Sequence, residues 1–320
     1  MVPSLLRYLH VAAALIHLIS CILSVVVHTD TITGQITLPV HTYGSDPTAE
    51  IRELIVNETL THKPVLYTNP MVWISANEAL TFFSHLIALF LLDRTTNLIE
   101  FERTRRTLEY VLTAGILQVA LVLGVGSISM SDLFMLLILN GVIQVLGWVS
   151  DQEDIPADLA TYVRYSAFVL LAVEVQFVIF QAVNLEGIEQ GPYIIMGILY
   201  AIFYIGFGVV KVVPMWKKNE TEIYILMSVS SKVALSWILI GNTYEGLKEL
   251  GVNSSPLDHT DLNWRAIQYI VSFLSVAILI IGILLIQNQA PDKLSSGMID
   301  KSTTGFRERR FKYNQIRTIS

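Results

Sequence analysis

The sequence predicts an all-α membrane protein, a bundle of seven crossing helices followed by an eighth. Three observations predict it. Of the 320 residues 53% are hydrophobic and only 15% charged, where a soluble domain carries about 25% charged residues. The apolar residues gather into blocks long enough to cross a bilayer, and the mean hydropathy is +0.56. The cations, finally, collect on one side of the chain drawn through those blocks.

A helix needs roughly 20 mostly apolar residues to span a bilayer, and that template fits residues 4–28, 71–93, 98–127, 130–149, 159–182, 192–213, 221–243 and 264–287. The first block has Arg7 ahead of its apolar run, as a secretory signal would. It is longer than such a signal and lacks a small-residue cleavage site, so it is expected to be retained. Residues 29–70 form a long outer loop, and the alternation from Thr31 to Leu38 with Gly34 in its middle predicts a short β-hairpin. Asn57-Glu58-Thr59 and Asn253-Ser254-Ser255 match the glycosylation acceptor pattern. The chain therefore divides into a bundle over 1–245, a linker and additional helix over 246–287, and a basic tail over 288–320 expected to be disordered or to lie on anionic lipid.

Lys and Arg are enriched in cytoplasmic loops. With the N-terminus inside, sixteen cations fall on the inner side, among them Arg7, Arg94, Arg103, Arg105, Arg106, Arg164 and Lys211, against four on the outer side, Arg52, Lys63, Lys248 and Arg265. Both termini are thus expected in the cytoplasm, in the cell membrane. A net charge of -6 spread in this way points to no nucleic-acid partner. The single cysteine, Cys21, excludes an intrachain disulfide framework.

Lys232 belongs to neither set. It stands about eleven residues into the seventh span, roughly 16 Å along the helix and so at mid-membrane. A lysine there costs several kcal/mol unless it is paired, neutralised or covalently changed. It is either a structural lysine paired with a buried carboxylate or the site of a covalent aldehyde adduct, since a desolvated amine forms Schiff bases readily. The intramembrane carboxylates are Glu78, Glu109 and Glu174, and Glu109 opens the apolar run of the third span. It reaches the midplane only if the helix starts near Leu98 and the arginines ahead of it snorkel or face a wet cavity, which is expected there. Ser228, four residues before Lys232, and Thr113, four after Glu109, share their faces. His17, His85, Asn140 and Gln144 complete a polar core, each of which could equally be a satisfied polar residue between helices. Tyr200, Phe203, Tyr204 and Phe207 on the sixth span and Trp237 beyond Lys232 could wall a flat apolar ligand or simply pack.

These residues resemble heliorhodopsins. The resemblance covers about residues 4–245 and is carried by Arg106-Thr107-Leu108-Glu109-Tyr110, by Asn140 with Leu146-Gly147-Trp148, by Ser228 to Trp237 around Lys232, and by His17, His85 and the long outer loop. It implies all-trans retinal held as a protonated Schiff base on Lys232, with Glu109 as counter-ion, Ser228 beside it and Tyr110 in the site. It also implies a homodimer formed through the outer loop and the fourth and fifth spans, and a light-driven signalling state read by an unidentified partner or by the bilayer. Thr107 stands where the family often has tryptophan, and Glu174 where it usually has an apolar or aromatic wall residue. In the second respect the chain is similar to viral or algal members, since some viral ones carry extra intramembrane glutamates and conduct protons in light.

Two function classes follow. The first is a retinal photoreceptor that signals by helix rearrangement. The second is a light-driven or light-gated proton conductor using Glu174 and Glu78, since carboxylates inside a membrane commonly mark ion paths. An intramembrane metal enzyme is disfavoured: His10, His17 and His85 lack the i, i+4 spacing with an adjacent glutamate, and a central lysine would compete. No enzymatic activity is expected.

Overall fold

The computed structural model describes residues 4–30, 38–40, 66–124, 129–152, 154–183, 191–213, 216, 219–249 and 264–288. Eight helices among them are long and apolar enough to cross a membrane. They are α1 (Ser4–Asp30), α2 (Pro70–Leu91), α3 (Leu98–Gly124), α4 (Met130–Val149), α5 (Ala157–Val183), α6 (Gly191–Val212), α7 (Glu220–Glu249) and α8 (Trp264–Asn288).

Helix starts are set by local chemistry. Asn69 caps α2, its Oδ1 accepting from Met71 N at 2.7 Å, and Pro70 fills the first helical position, where no N–H is needed. Asn97 caps α3 in the same way, accepting from Glu100 N at 3.2 Å. The apolar residues that follow hold each helix in place only through packing, because lipid and leucine are equally apolar.

Each helix packs on the next, α7 closes the ring against α1, and α3 meets α7 through the interior. The crossing stretch of α7 is 94% buried and that of α3 67%, against 17% for α5 and α8. The two central helices are thus the ones that carry Lys232 and Glu109. Close approach is bought with small residues. A Cβ on Gly115 would meet Leu137 at 3.1 Å and Asn140 at 3.4 Å, so the α3–α4 contact depends on its absence. The eighth helix lies outside the ring against α7, where a Cβ on Gly241 would fall 1.9 Å from Gln268. Its outward residues, including Phe273, Ile281 and Leu285, are exposed as a lipid-facing surface would be.

The hairpin expected around Thr31–Leu38 is not supported. Residues 31–37 lie outside the described residues, and the short strands that are described, β1 (Leu38–Val40) and β2 (Leu66–Thr68), pair antiparallel from opposite ends of the outer segment. The two glycosylation patterns and the tail also lie outside the described residues.

Candidate functional site

Three helices converge on Lys232. Its Nζ donates to Glu109 Oε1 at 2.7 Å and to Thr81 Oγ1 at 2.9 Å, and stands 5.2 Å from the centre of the Tyr110 ring. The lysine is 4% exposed and the glutamate 6%. Glu109 accepts from four donors. Lys232 and Ser228 (3.3 Å) share Oε1, while Ser84 and Arg105, each at 2.7 Å, share Oε2. Two oxygens with two donors apiece fill the capacity of a carboxylate and leave it no proton to give, so this group is built to be an anion.

The charges alternate along the buried core. Arg105 also holds Glu102 Oε2 through two bonds of 3.1 and 3.0 Å. Lys232, Glu109, Arg105 and Glu102 thus form a row of two cations and two anions that balance, which is what makes four ionised groups tolerable inside an apolar bundle. Of the two alternatives the sequence left for the arginines, snorkelling or facing a wet cavity, Arg105 takes the second, as a buried bridge that lines a cavity. Its neighbours do reach outward, Arg103 to Glu100 at 3.2 Å and Arg106 to Glu220 at 3.3 Å, with the Arg106 guanidinium 3.8 Å above the Tyr224 ring. The expected cavity beside them is present but small, lined by His85, Arg105, Glu109 and Ser228 among others.

The histidines form a second row on the α1–α2 side. His17 Nδ1 lies 2.6 Å from Glu78 Oε2, and Ser236 donates to Glu78 Oε1 at 2.8 Å. The rings of His17 and His85 stack, centroids 6.0 Å apart and 9° from parallel. His85 Nδ1 faces His10 Nδ1 at 2.9 Å, and His10 Nε2 lies 3.2 Å from Glu102 Oε1. No group of three or more His, Cys, Asp or Glu among the described residues could hold a metal ion.

Other residues singled out in the sequence take different places. Thr113 donates to the backbone carbonyl of Glu109 at 2.8 Å rather than to its carboxylate. Asn140 donates to the Tyr110 and Val111 carbonyls at 3.0 and 3.2 Å, tying α4 to α3. Glu174 is fully buried beside Gln118, with no well-formed hydrogen bond on either oxygen.

A cavity of about 130 Å³ opens from Lys232 and is walled by Tyr110, Leu117, Ile143, Trp148, Phe168, Leu171, Tyr204 and Phe207, with Arg106, Asp151, Arg164 and Lys211 at its rim. A second, of about 490 Å³ between α5 and α6, shares Phe168, Leu171 and Gly208 with it. Phe203 and Trp237 do not line either cavity. Trp237 follows Lys232 by five residues, about 140° around the helix, and its Nε1 donates instead to Ser20 at 3.2 Å on α1. Phe203 lies one residue off the Tyr200, Tyr204, Phe207 face and is packed in the core. Sequence reasoning missed Thr81, Ser84, Arg105 and Glu102. The signal was there in helical spacing, Glu78-Thr81-His85 on α2 and Glu102-Arg105-Glu109 on α3 each running i, i+3, i+7.

A closed ring of seven crossing helices, with a buried lysine in the seventh paired to a carboxylate of the third, defines a membrane protein of the rhodopsin kind. The sequence model of the heliorhodopsin family matches residues 6–244, and the chain belongs to that family. The match takes in the ring and ends before α8. No curated protein matches the chain. Membership makes it a multi-pass membrane protein of the retinal-photoreceptor kind and implies retinal as chromophore. The residues present fit that group: a buried amine, an anion held against it, and an apolar, aromatic cavity leading away suit a long apolar aldehyde.

Proposed function

We propose that the protein is a light receptor in which all-trans retinal is carried on Lys232, with Glu109 as counter-ion. The observation that carries the reading is the 2.7 Å contact between Nζ of Lys232 and Oε1 of Glu109 at the head of the aromatic cavity. Bound as a protonated Schiff base, retinal supplies visible absorption and a light-driven isomerisation. Glu109 holds the positive charge on the lysine nitrogen, while Ser228 and Ser84 keep the carboxylate in place from α7 and α2. Tyr204, whose hydroxyl donates to Ala114 O at 3.3 Å, and Phe207 brace α6 against α3 along the cavity. The signalling output is a shift of α7 against α3 once the ion pair between them is disturbed, read by a partner or by the bilayer. The cation asymmetry supports cytoplasmic termini, and a homodimer is the assembly proposed.

A second reading, light-driven or light-gated proton movement, is favoured by one observation: Glu174 is a fully buried carboxyl whose oxygens lack well-formed hydrogen bonds. In that reading Glu174 and Glu78 carry protons toward the outer side.

The test is the visible spectrum of the full chain purified with all-trans retinal, beside Lys232→Ala. A band present in the first and lost in the second is the expected result. No band in either overturns the retinal reading and returns Lys232 to a structural ion-pair partner.

A further inference from the structure

Between the Lys232 site and the end of the bundle that carries the start of α1 runs a short series of buried groups that the light-receptor reading leaves idle. His10 is fully buried, His85 1% exposed and Glu102 2%. Glu102 Oε2 accepts both bonds from Arg105, which leaves Oε1 3.2 Å from His10 Nε2, an ion-pair distance at which neither atom makes a well-formed hydrogen bond. An anionic oxygen there calls for the proton of His10 on Nε2. A neutral His10 then has a bare Nδ1, and because that atom faces His85 Nδ1 at 2.9 Å, the one proton between the two rings belongs to His85. A neutral His85 protonated on Nδ1 has a bare Nε2. That atom is buried and has no partner, and the ring lines the small cavity shared with Glu109 and Ser228.

Resting on the retinal reading above, we infer that His85, His10 and Glu102 form a proton relay from the Lys232 pocket to the α1-start end of the bundle, with Glu102 as terminal acceptor. The N–H bond of the Lys232 nitrogen breaks as an N–H bond forms at His85 Nε2. The N–H at His85 Nδ1 breaks as one forms at His10 Nδ1, and the N–H at His10 Nε2 breaks as an O–H forms on Glu102 Oε1. One proton enters, one carboxylate is neutralised, and each histidine ends neutral with its tautomer reversed. Arg105 keeps Glu102 anionic beforehand and holds its free oxygen toward His10. Glu222, on the first turn of α7, interacts electrostatically with both Glu102 and His10. On the other side His85 meets His17 by ring stacking, while its hydrogen bond runs to His10, whose Nε2 lies 3.2 Å from Glu102 Oε1.

The experiment has two arms. In the first, light-minus-dark infrared difference spectra are recorded on the retinal-loaded full chain in vesicles, with Glu102→Gln, Glu102→Asp and His10→Gln. The wild-type chain is expected to gain the carbonyl stretch of a newly protonated carboxylic acid. Glu102→Gln loses it, Glu102→Asp keeps it at a shifted frequency, and His10→Gln delays it about a hundredfold, the scale of a lost positioned proton-transfer group. A wild-type chain without that stretch, or a stretch unchanged in Glu102→Gln, overturns the relay. In the second arm, nitrogen NMR of histidine-labelled protein without retinal is expected to show His85 protonated on Nδ1 and bare on Nε2, and His10 the reverse. A protonated His85 Nε2 leaves no place for the incoming proton and overturns the relay. A chain that forms no visible band sinks the photoreceptor reading alone, while the tautomers decide the relay separately.

Discussion

Lys232 on α7 and Glu109 on α3 are the two ends of a 2.7 Å contact that ties together the two most buried helices of the ring. Glu109→Gln keeps the shape and removes the anion, leaving Lys232 and Arg105 as buried cations around a neutral amide. Breaking a buried pair in this way costs about 3–5 kcal/mol, so the thermal midpoint should fall markedly. In retinal-loaded protein the absorption band should move to longer wavelength while the lysine nitrogen keeps its proton, because the anion stabilises charge at the nitrogen more before excitation than after it. A band at the wild-type position would mean that another group is the counter-ion.

Arg105 offers a sharper test of the buried charge row. Arg105→Gln leaves Glu102 and Glu109 without their shared cation, and the expected loss is again about 3–5 kcal/mol. Arg103→Gln, two positions away, removes a partly exposed pair with Glu100 and should cost at most about 1 kcal/mol. Equal thermal midpoints for the two variants would refute the row as a structural element.

The contrast between these arginines also marks where sequence reasoning stopped. Hydropathy located eight spans, and the expense of a charge in lipid singled out Lys232 and Glu109. Both arguments need only one helix at a time. Which arginine of Arg103, Arg105 and Arg106 faces inward depends on what α2 and α7 present, namely Ser84 and Glu220, and one helix's pattern does not contain its neighbours. Of the two alternatives left for Trp237, walling a ligand or packing, its hydrogen bond to Ser20 on α1 goes with packing, since a spacing of five residues from Lys232 turns it to another face. The paired strands at Leu38–Val40 and Leu66–Thr68 join distant segments that no local alternation could match.

Gly241 tests the place of α8. Gln268 occupies the space its Cβ would take, so Gly241→Val should push α8 from α7 and lower the thermal midpoint by the equivalent of about 1–3 kcal/mol, the usual cost of overpacking. The absorption band should stay where it is, because α8 lies outside the ring and beyond the family match. A shifted band in Gly241→Val would show that α8 helps shape the chromophore site.

Glu174 separates the receptor from the conductor. A carboxyl buried without well-formed hydrogen bonds is a cost of a few kcal/mol to the fold, and the neutral isostere Gln lightens it, so Glu174→Gln should leave the thermal midpoint unchanged or raise it. In voltage-clamped cells expressing the retinal-loaded protein, light-evoked currents that vanish in Glu174→Gln while the visible band persists are the outcome expected of a proton conductor. Currents that survive unchanged would remove Glu174 from the path. If the wild-type chain carries none, the receptor reading stands.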